Sequence, residues 1–582
     1  MESFVFNALT MIGGLCLFLF GMNLMGDALE RRAGSSLRTI LEKLTNHPLT
    51  GLITGMAVTA VIQSSSATTV MVVGFVNSGL MTLRQSIRVI MGANIGTTVT
   101  AWILSLAGIS SDNFFVTLLK PTSFTPILAL IGIIFYMFGK SGKKKDTAVI
   151  LLGFATLMFG MDTMSDSVSG LKDSEAFRQL FLLFENPVLG VLAGAVLTAI
   201  IQSSSASVGI LQALAATGQI TYGAAIPIIM GQNIGTCVTA ILSSIGATKN
   251  AKRAALVHLS FNVIGTVILL AVFSIIRAVL QPVIFSESAT LMGIAVCHSI
   301  FNVLCTVILV PMAGLLEKIA ILLIPESKLP ETQTELDERL LGTPAIALER
   351  CHILASEMAQ MAFDTLKRSL SALKDYTPEL AETVREGEER TDHYEDILGS
   401  YLVKLSYKQL SEDENNEVTK LLKMIGDLER ISDHSVNILE SAEELVQKNI
   451  SFTAPAVKEM NVLTEAIEEI SDLTLNAFLG EDLDIASSVE PLEAVIDDLK
   501  ETLRTQHIKR LQQGNCSIEA GFVWSDLLTN LERTSDHCSN IAGCLFEMKK
   551  TEMNLHETMR NFRSSSREYH ENLQRYAEKY SI

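Results

Sequence analysis

The sequence lacks the signatures of familiar enzymes: there is no P-loop, no H-E-x-x-H and no G-x-S-x-G. ATP-driven transport within this chain is therefore unsupported, and no catalytic activity is expected. Eight cysteines (16, 237, 297, 305, 351, 516, 538, 544) form no C-x-x-C pair, which excludes a disulfide framework; half lie in apolar stretches, where cysteine acts as a small hydrophobe. Basic charge is short as well. With 45 Lys+Arg against 63 Asp+Glu, no part of the chain offers phosphates a dominant basic face, so nucleic acid is not an expected partner. Only 19% of the 582 residues are charged and 48% are hydrophobic, with a mean hydropathy of +0.35. That excludes disorder and does not suit an ordinary soluble chain. The charge is also divided. Residues 1–325 carry 18 Lys+Arg and 13 Asp+Glu, net +5, whereas residues 326–582 carry 27 and 50, net −23. The first part reads as a transmembrane domain, the second as an acidic soluble one.

No cleavable signal precedes the first apolar stretch, Phe4 to Met25, which has no basic residues before it and Arg31 and Arg32 after it. That pattern is a span oriented by its trailing charges. Further apolar stretches cover 50–81, 86–109, 122–139, 147–164, 187–217, 222–247, 254–280 and 290–324, most of them long enough for the ~20 residues of a crossing helix. Two contain polar blocks: Gln63-Ser64-Ser65-Ser66-Ala67-Thr68-Thr69 and Gln202-Ser203-Ser204-Ser205-Ala206-Ser207. Consecutive amides and hydroxyls point all round a helix, so they belong where a helix breaks, buried in protein or lining a watery cavity. The plainer alternative is small residues that let two helices pack closely.

The blocks are copies. Phe20-Gly21-Met22 recurs as Phe159-Gly160-Met161, Gln63 to Ala67 as Gln202 to Ala206, and Met91-Gly92-Ala93-Asn94-Ile95-Gly96-Thr97 as Met230-Gly231-Gln232-Asn233-Ile234-Gly235-Thr236, each offset by 139 residues. This is an internal duplication: repeat one covers about 4–139, repeat two about 146–280, and a last span 290–324. Basic residues cluster in loops 27–47, 140–146 and 248–253, while loop 165–186 is acidic and loops 110–120 and 281–289 carry almost no positive charge. Cytoplasmic placement of the three basic loops requires that 50–81 and 187–217 be re-entrant hairpins and the other seven stretches cross. The repeats are then inverted, the first hairpin opens from the cytoplasm, the second from outside, and the acidic domain emerges in the cytoplasm.

Inverted repeats with two broken elements are the architecture of a secondary transporter. Each hairpin tip starts a helix whose first N–H groups lack partners, which suits an anion; serine hydroxyls add donors. Glutamine and broken-backbone carbonyl oxygens suit a hard cation such as Na+. A site rich in neutral donors and poor in basic side chains suits a multiply oxygenated anion that must be released again. A further pair, His258-Leu-Ser-Phe-Asn262 and His298-Ser-Ile-Phe-Asn302, is offset by 40 residues. Asn262 and Asn302 are expected to face the bundle interior. The two histidines read as interhelical hydrogen-bond partners, with proton coupling as the alternative.

The doubled Gln-Ser-Ser-Ser motif, each copy followed by Gly-x-Asn-Ile-Gly-Thr, resembles the type II sodium–phosphate cotransporters over about residues 1–320. The resemblance implies sodium-coupled phosphate movement by alternating access. It implies that the phosphate and sodium sites are built from Gln63, Ser64, Ser65 and Ser66, from Gln202, Ser203, Ser204 and Ser205, and from neighbouring Thr68, Thr69 and Ser207. Asn94, Thr97, Asn233 and Thr236, in the paired Asn-Ile-Gly-Thr turns, are added candidates, as are Asn262 and Asn302. Thr68-Thr69 become Ser207-Val208 in the second copy, and Ala93 becomes Gln232, so the halves do not bind identical ligands.

After Pro325 a linker runs to about residue 340. Helical patterning follows at about 344–374, 378–407, 411–448, 455–479, 487–513 and 517–549, with a charged terminal helix within 551–582, and no strand-like alternation persists. The expected fold is all-α throughout. Region 341–550 is duplicated too: Leu428-Glu429-Arg430-Ile431-Ser432-Asp433-His434 recurs as Leu531-Glu532-Arg533-Thr534-Ser535-Asp536-His537, offset by 103, and Glu388 with Asp392 recurs as Glu493 with Asp497, offset by 105. That predicts two three-helix bundles. Each carboxylate pair sits at i and i+4 on one helix face. Either these are solvated acidic faces or they cage divalent or iron ions, Mg2+, Mn2+ and iron all suiting oxygen ligands. His434 and His537 lie about 100° round the helix from their aspartates and read as polar-face residues. The region resembles the PhoU phosphate regulators, which implies a regulatory domain with metal at Glu429, Asp433, Glu532 and Asp536, and at Glu388, Asp392, Glu493 and Asp497.

The function expected from the whole is sodium-coupled symport of inorganic phosphate across the inner cell membrane, with Na+ as coupling ion and a cytoplasmic PhoU-like domain. The alternatives are a membrane-bound phosphate sensor and a phosphate exporter. Expected partners are phosphate, membrane lipid, a soluble signalling protein and a second copy of the chain in a homodimer.

Overall fold

The computed structural model describes residues 2–44, 48–77, 81–108, 121–139, 142–169, 183–325, 336–408, 410–549 and 567–582. Among these the regular structure is helical, and the chain divides into two compact units, Met1–Ile346 and Ala347–Ile582. The first unit contains α1 (Glu2–Leu44), α2 (Pro48–Ile62), α3 (Ser65–Asn77), α4 (Leu83–Gly96), α5 (Thr98–Ser105), α6 (Pro121–Phe138), α7 (Gly142–Ser169), α8 (Pro187–Ile201), α9 (Ser204–Ala215), α10 (Tyr222–Ser243), α11 (Lys249–Val279), α12 (Leu291–Leu309) and α13 (Ala313–Leu323).

Glycine sets the packing of the two repeats against each other. A Cβ on Gly21 would lie 2.3 Å from the Leu157 nitrogen, and one on Gly160 would lie 2.3 Å from that of Phe18. Only bare backbone allows α1 and α7 to come so close. Gly14 faces Gly160 and Met164, and Gly21 faces Gly153 and Leu157; as numbers rise on one helix they fall on the other, so the pair is antiparallel. These are the opening helices of the two repeats, and the repeats therefore run in opposite senses. Phe18, Met158, Met161 and Leu104 fill the core beside them.

Both polar stretches fold as helix–break–helix hairpins, α2–α3 and α8–α9. A 15-residue helix rises about 22 Å, short of the ~30 Å apolar core of a bilayer. The hairpins open toward opposite ends of α11. Asn77 at the end of α3 accepts from the Thr248 N–H at 2.7 Å, at the start of α11. Glu185, just before α8, accepts from Arg277 in the last turn of α11 at 2.6 Å. The 31 residues of that helix separate its ends by about 46 Å. Among the described residues six stretches, Phe6–Arg32, Leu83–Gly108, Gly142–Val168, Tyr222–Ser243, Lys249–Val279 and Leu291–Leu309, are long and apolar enough to cross a membrane. Large exposed apolar side chains such as Ile12, Phe138, Ile200, Val267 and Val279 clothe the outer helices, as lipid contact requires.

The structure departs from some of these expectations and agrees with others. The stretch 290–324 is not one span: the chain turns at Val310–Met312, where Pro311 lacks the N–H to continue α12, and restarts as α13. Stretch 122–139 forms the 18-residue helix Pro121–Phe138, as expected. The described end of the linker is built, not open: Glu338–Gly342 is a 3-10 helix capped by Asp337, with Leu340 fully buried against Gly74 of α3. Arg339 donates to the carbonyls of Ser243 and Ile245 at the end of α10. The described part of the charged terminal helix, Arg567–Lys579, falls within the expected 551–582; residues 550–566 lie outside the described part.

The second unit holds α14 (Pro344–Ala372), α15 (Pro378–Ser406), α16 (Glu412–Gln447), α17 (Ala454–Gly480), α18 (Val489–Gln512), α19 (Ile518–Lys549) and α20 (Arg567–Lys579). Helices α14–α16 and α17–α19 are the two three-helix copies. They meet along α16 and α19, where His434 and His537 stack with ring centroids 5.6 Å apart. The His434 Nδ1 bonds Asn530 at 2.9 Å, and the His537 Nδ1 bonds Asp427 at 2.8 Å, so the two histidines join the copies reciprocally. Helix α20 adds to the second copy, through Lys579 and Tyr580 on Glu469 and Asn572 on Ser488.

Candidate functional site

The two hairpin tips share the same main-chain turn, helix cap and limb-to-limb bond. Each inbound helix ends on a glutamine in the left-handed region, Gln63 and Gln202 both at φ 59°. For a residue with a Cβ this costs of order 1 kcal/mol, and it occurs at the two positions where the chain must reverse. The N–H of Gln63 bonds the Thr59 carbonyl at 2.8 Å and that of Gln202 the Thr198 carbonyl at 2.7 Å. The next residue caps the outbound helix: the Ser64 hydroxyl accepts from the Ala67 N–H at 3.1 Å, and the Ser203 hydroxyl from Ala206 at 3.2 Å. A side-chain bond then ties the two limbs together, Thr59 to Thr68 at 3.0 Å and Thr198 to Ser207 at 2.8 Å.

What remains at each tip is a set of free donors. Among the described residues, no acceptor takes the N–H groups of Ser65 and Ser66 or of Ser204 and Ser205, and their hydroxyls have no partner. Ser65, Ser204 and Ser205 are nonetheless buried. The positive ends of α3 and α9 add to those donors. No lysine or arginine bonds to either tip among the described residues.

The other sequence candidates divide. Asn94 reaches across the fold, donating to Asn262 at 3.3 Å, and Asn262 donates to the His258 carbonyl at 3.0 Å. Thr69, Thr97, Asn233, Thr236 and Asn302 instead bond carbonyls of their own helices. The second Asn-Ile-Gly-Thr is not a turn, because α10 runs through it. The paired glycines of that motif are packing residues: a Cβ on Gly92 would lie 2.0 Å from the Leu52 carbonyl, and one on Gly231 1.9 Å from that of Val191. They seat α4 on α2 and α10 on α8. His258 and His298 do not bond between helices as expected. Both are buried, and no ring nitrogen has a partner among the described residues.

Sequence reasoning missed Thr59, Thr100, Thr198, Thr239 and Gln212. The threonines obey the same 139-residue offset as the tips, and the duplication could have found them. Gln212 has no copy, since Val73 stands at its counterpart. It donates to the carbonyls of Ala101 at 3.1 Å and Leu291 at 3.0 Å. Thr100, beside Ala101, donates to the Gln63 side chain at 2.9 Å. A polar chain thus runs from the first tip through α5 to the outbound helix of the second hairpin.

Residues 17–166 and 157–298 each match the Na+/Pi-cotransporter family model, and residues 355–442 and 461–545 each match the PhoU domain. The chain belongs to the Na+/Pi-cotransporter family, with a pair of PhoU domains behind it. Across 93% of its length it is 23% identical to Escherichia coli YjbB, a protein named for inorganic phosphate export, and covers 97% of it. It is 24% identical to human sodium-dependent phosphate transport protein 2B over 44% of this chain and 57% of that one. Its C-terminal part is 27% identical to a PhoU homologue of Thermotoga maritima, over 37% of this chain and 93% of that protein. This Na+/Pi-cotransporter relative is a membrane phosphate transporter by family, not an enzyme.

In the PhoU unit the expected carboxylates gather in two clusters. Glu493, Asp497 and Asp536 present oxygens within 4.8 Å of one another, while Glu532 pairs with Lys500 at 2.8 Å. Burial, then Glu532 and Asp497, raises the Asp536 carboxyl. In the first cluster burial, then Asp433, pushes Glu429 up to about 7. Burial, then Asp433 and Asp392, raises Glu388. The first cluster has an extra carboxylate, Glu395, at the position Lys500 takes in the second. Arg430 bridges Glu429 at 3.5 Å and Asp433 at 3.3 Å.

Proposed function

We propose that the chain carries inorganic phosphate across the cell membrane by alternating access, coupled to Na+, and that its PhoU-like pair regulates the flux from the cytoplasm. One observation carries this reading: two matching helix starts with free N–H and hydroxyl donors, on hairpins that open toward opposite ends of the same helix. A dianionic oxyanion takes many neutral donors, and the absence of a bound cationic side chain lets it leave again. Ser65, Ser66, Ser204 and Ser205 bind it. Ser64, Ser203, Thr68 and Ser207 hold the tips in shape. The last carbonyls of α2 and α8, at the same breaks, offer neutral oxygens for Na+. Movement of one repeat against the other then exposes this site to each side in turn. The carboxylate clusters of the PhoU unit fit a divalent cation or iron, most directly at Glu493, Asp497 and Asp536, where three oxygens already converge.

The full chain in proteoliposomes should take up labelled phosphate when an inward sodium gradient is applied, and lose most of that uptake when choline replaces sodium. Uptake indifferent to sodium sinks the coupling. Export is the second reading, favoured by the nearly full-length relative named for it. Efflux from loaded vesicles against the sodium-driven direction distinguishes the two.

A further inference from the structure

The two repeats share a main-chain turn at their tips but differ in side-chain bonds: Gln63 also donates to the Ala60 carbonyl and Thr68 to the Ser64 carbonyl, without counterparts among the described residues of repeat two. In repeat one, the Thr100 hydroxyl donates to the Gln63 side chain at 2.9 Å, and both residues are buried. In repeat two the equivalent residues are Thr239 and Gln202. There the Thr239 hydroxyl is buried without a hydrogen-bond partner among the described residues, and Gln202 is exposed. The main-chain turn at the two glutamines is the same, φ 59° in each; the difference lies in the side-chain bonds. A buried hydroxyl with no partner is costly, and a sequence that duplicates both members of a bond has the means to make it. Inverted repeats exchange conformations when the accessible side changes.

We propose that Thr100 and Thr239 are positioning residues that alternate as latches: Thr100 holds Gln63 in the state described here, and Thr239 holds Gln202 in the opposite state. Each acts through its glutamine on the neighbouring serines without touching the ligand. Closing one tip withdraws its glutamine from water, and opening the other releases its counterpart. The inference rests on the alternating-access reading of the same two tips.

The test uses the full chain in proteoliposomes with Thr100→Val, Thr239→Val and the hydroxyl-keeping Thr100→Ser and Thr239→Ser. A Ser66→Cys reporter is alkylated by a membrane-impermeant maleimide from each side, in a background lacking the accessible cysteines Cys16, Cys297 and Cys516. Removing the Thr100 bond should shift labelling toward the opposite side. Loss of the Thr239 hydroxyl should shift it toward the state described here. Without the reporter, both valine variants should lose phosphate flux at least tenfold while equilibrium phosphate binding changes less than about threefold, and the serine variants should recover the flux. Labelling that moves the same way in both valine variants, or does not move, overturns the latch, as does unchanged flux. If the unmodified chain moves no phosphate, the transport reading fails, and the opposed labelling shifts still report on the latch by themselves.

Discussion

Ser65 and Ser204 are buried, yet their hydroxyls are left without protein partners at the start of a helix. A polar group so placed is stable when a ligand or water completes it. Replacing either by alanine removes one donor, worth about 1 kcal/mol, which is about fivefold in phosphate affinity. Equilibrium binding should show that loss in each variant with thermal stability unchanged, because neither hydroxyl holds the tip together. Thr59→Val, by contrast, breaks the Thr59–Thr68 bond between the hairpin limbs and should lower the unfolding temperature as well as the affinity. In the PhoU unit, Glu429 titrates near 7 rather than the usual 4.5 because of burial and Asp433. The folded chain then binds more protons than the unfolded chain between those two values, so stability falls as pH rises through that window. The unfolding temperature of the metal-free protein should drop over this range. Glu429→Gln should flatten the drop, and added Mn2+ should reverse it above pH 7 if the clusters hold metal.

At the level of elements, the hairpins were legible because seven consecutive polar or small residues cannot face lipid, whichever helix carries them. The inversion was legible in the loop charges, and the antiparallel contact of α1 with α7 bears it out. Other features were hidden for physical reasons. Gly96 and Gly235 lie within the Asn-Ile-Gly-Thr motifs and looked like parts of a binding turn, whereas a Cβ there would lie 2.5 Å from the Met56 carbonyl and 2.4 Å from that of Ala195, so their lack of a side chain is what matters. A glycine needed for packing and one needed for a turn read alike in sequence. Gly231→Ala places a methyl against the Val191 carbonyl and should cost about 1–3 kcal/mol. Gly13→Ala in α1, with nothing within 4 Å of the new carbon, should be neutral or slightly stabilising. Thermal unfolding of the two variants in detergent makes that contrast. The docking of Leu340 over Gly74 and of Arg339 at the end of α10 was also out of reach, since a short acidic linker carries no periodicity. Gln212, with no duplicated partner to mark it, stood in an apolar run like any polar residue in a membrane helix.

Across the whole molecule, duplication is the organising fact. The membrane unit is two inverted copies, the soluble unit two further copies, and the copies depart from symmetry at particular residues: Thr100 bonded against Thr239 unbonded, Glu395 against Lys500. The central claim is that the two tips, one from each copy, build a single phosphate site, and a count of bound phosphate tests it most directly. Labelled phosphate titrated onto the purified full chain in saturating sodium should bind one per chain. Ser65→Ala and Ser204→Ala should each weaken that one site, with the double variant weaker than either. Two phosphates per chain, with each substitution affecting only one of them, would contradict the account.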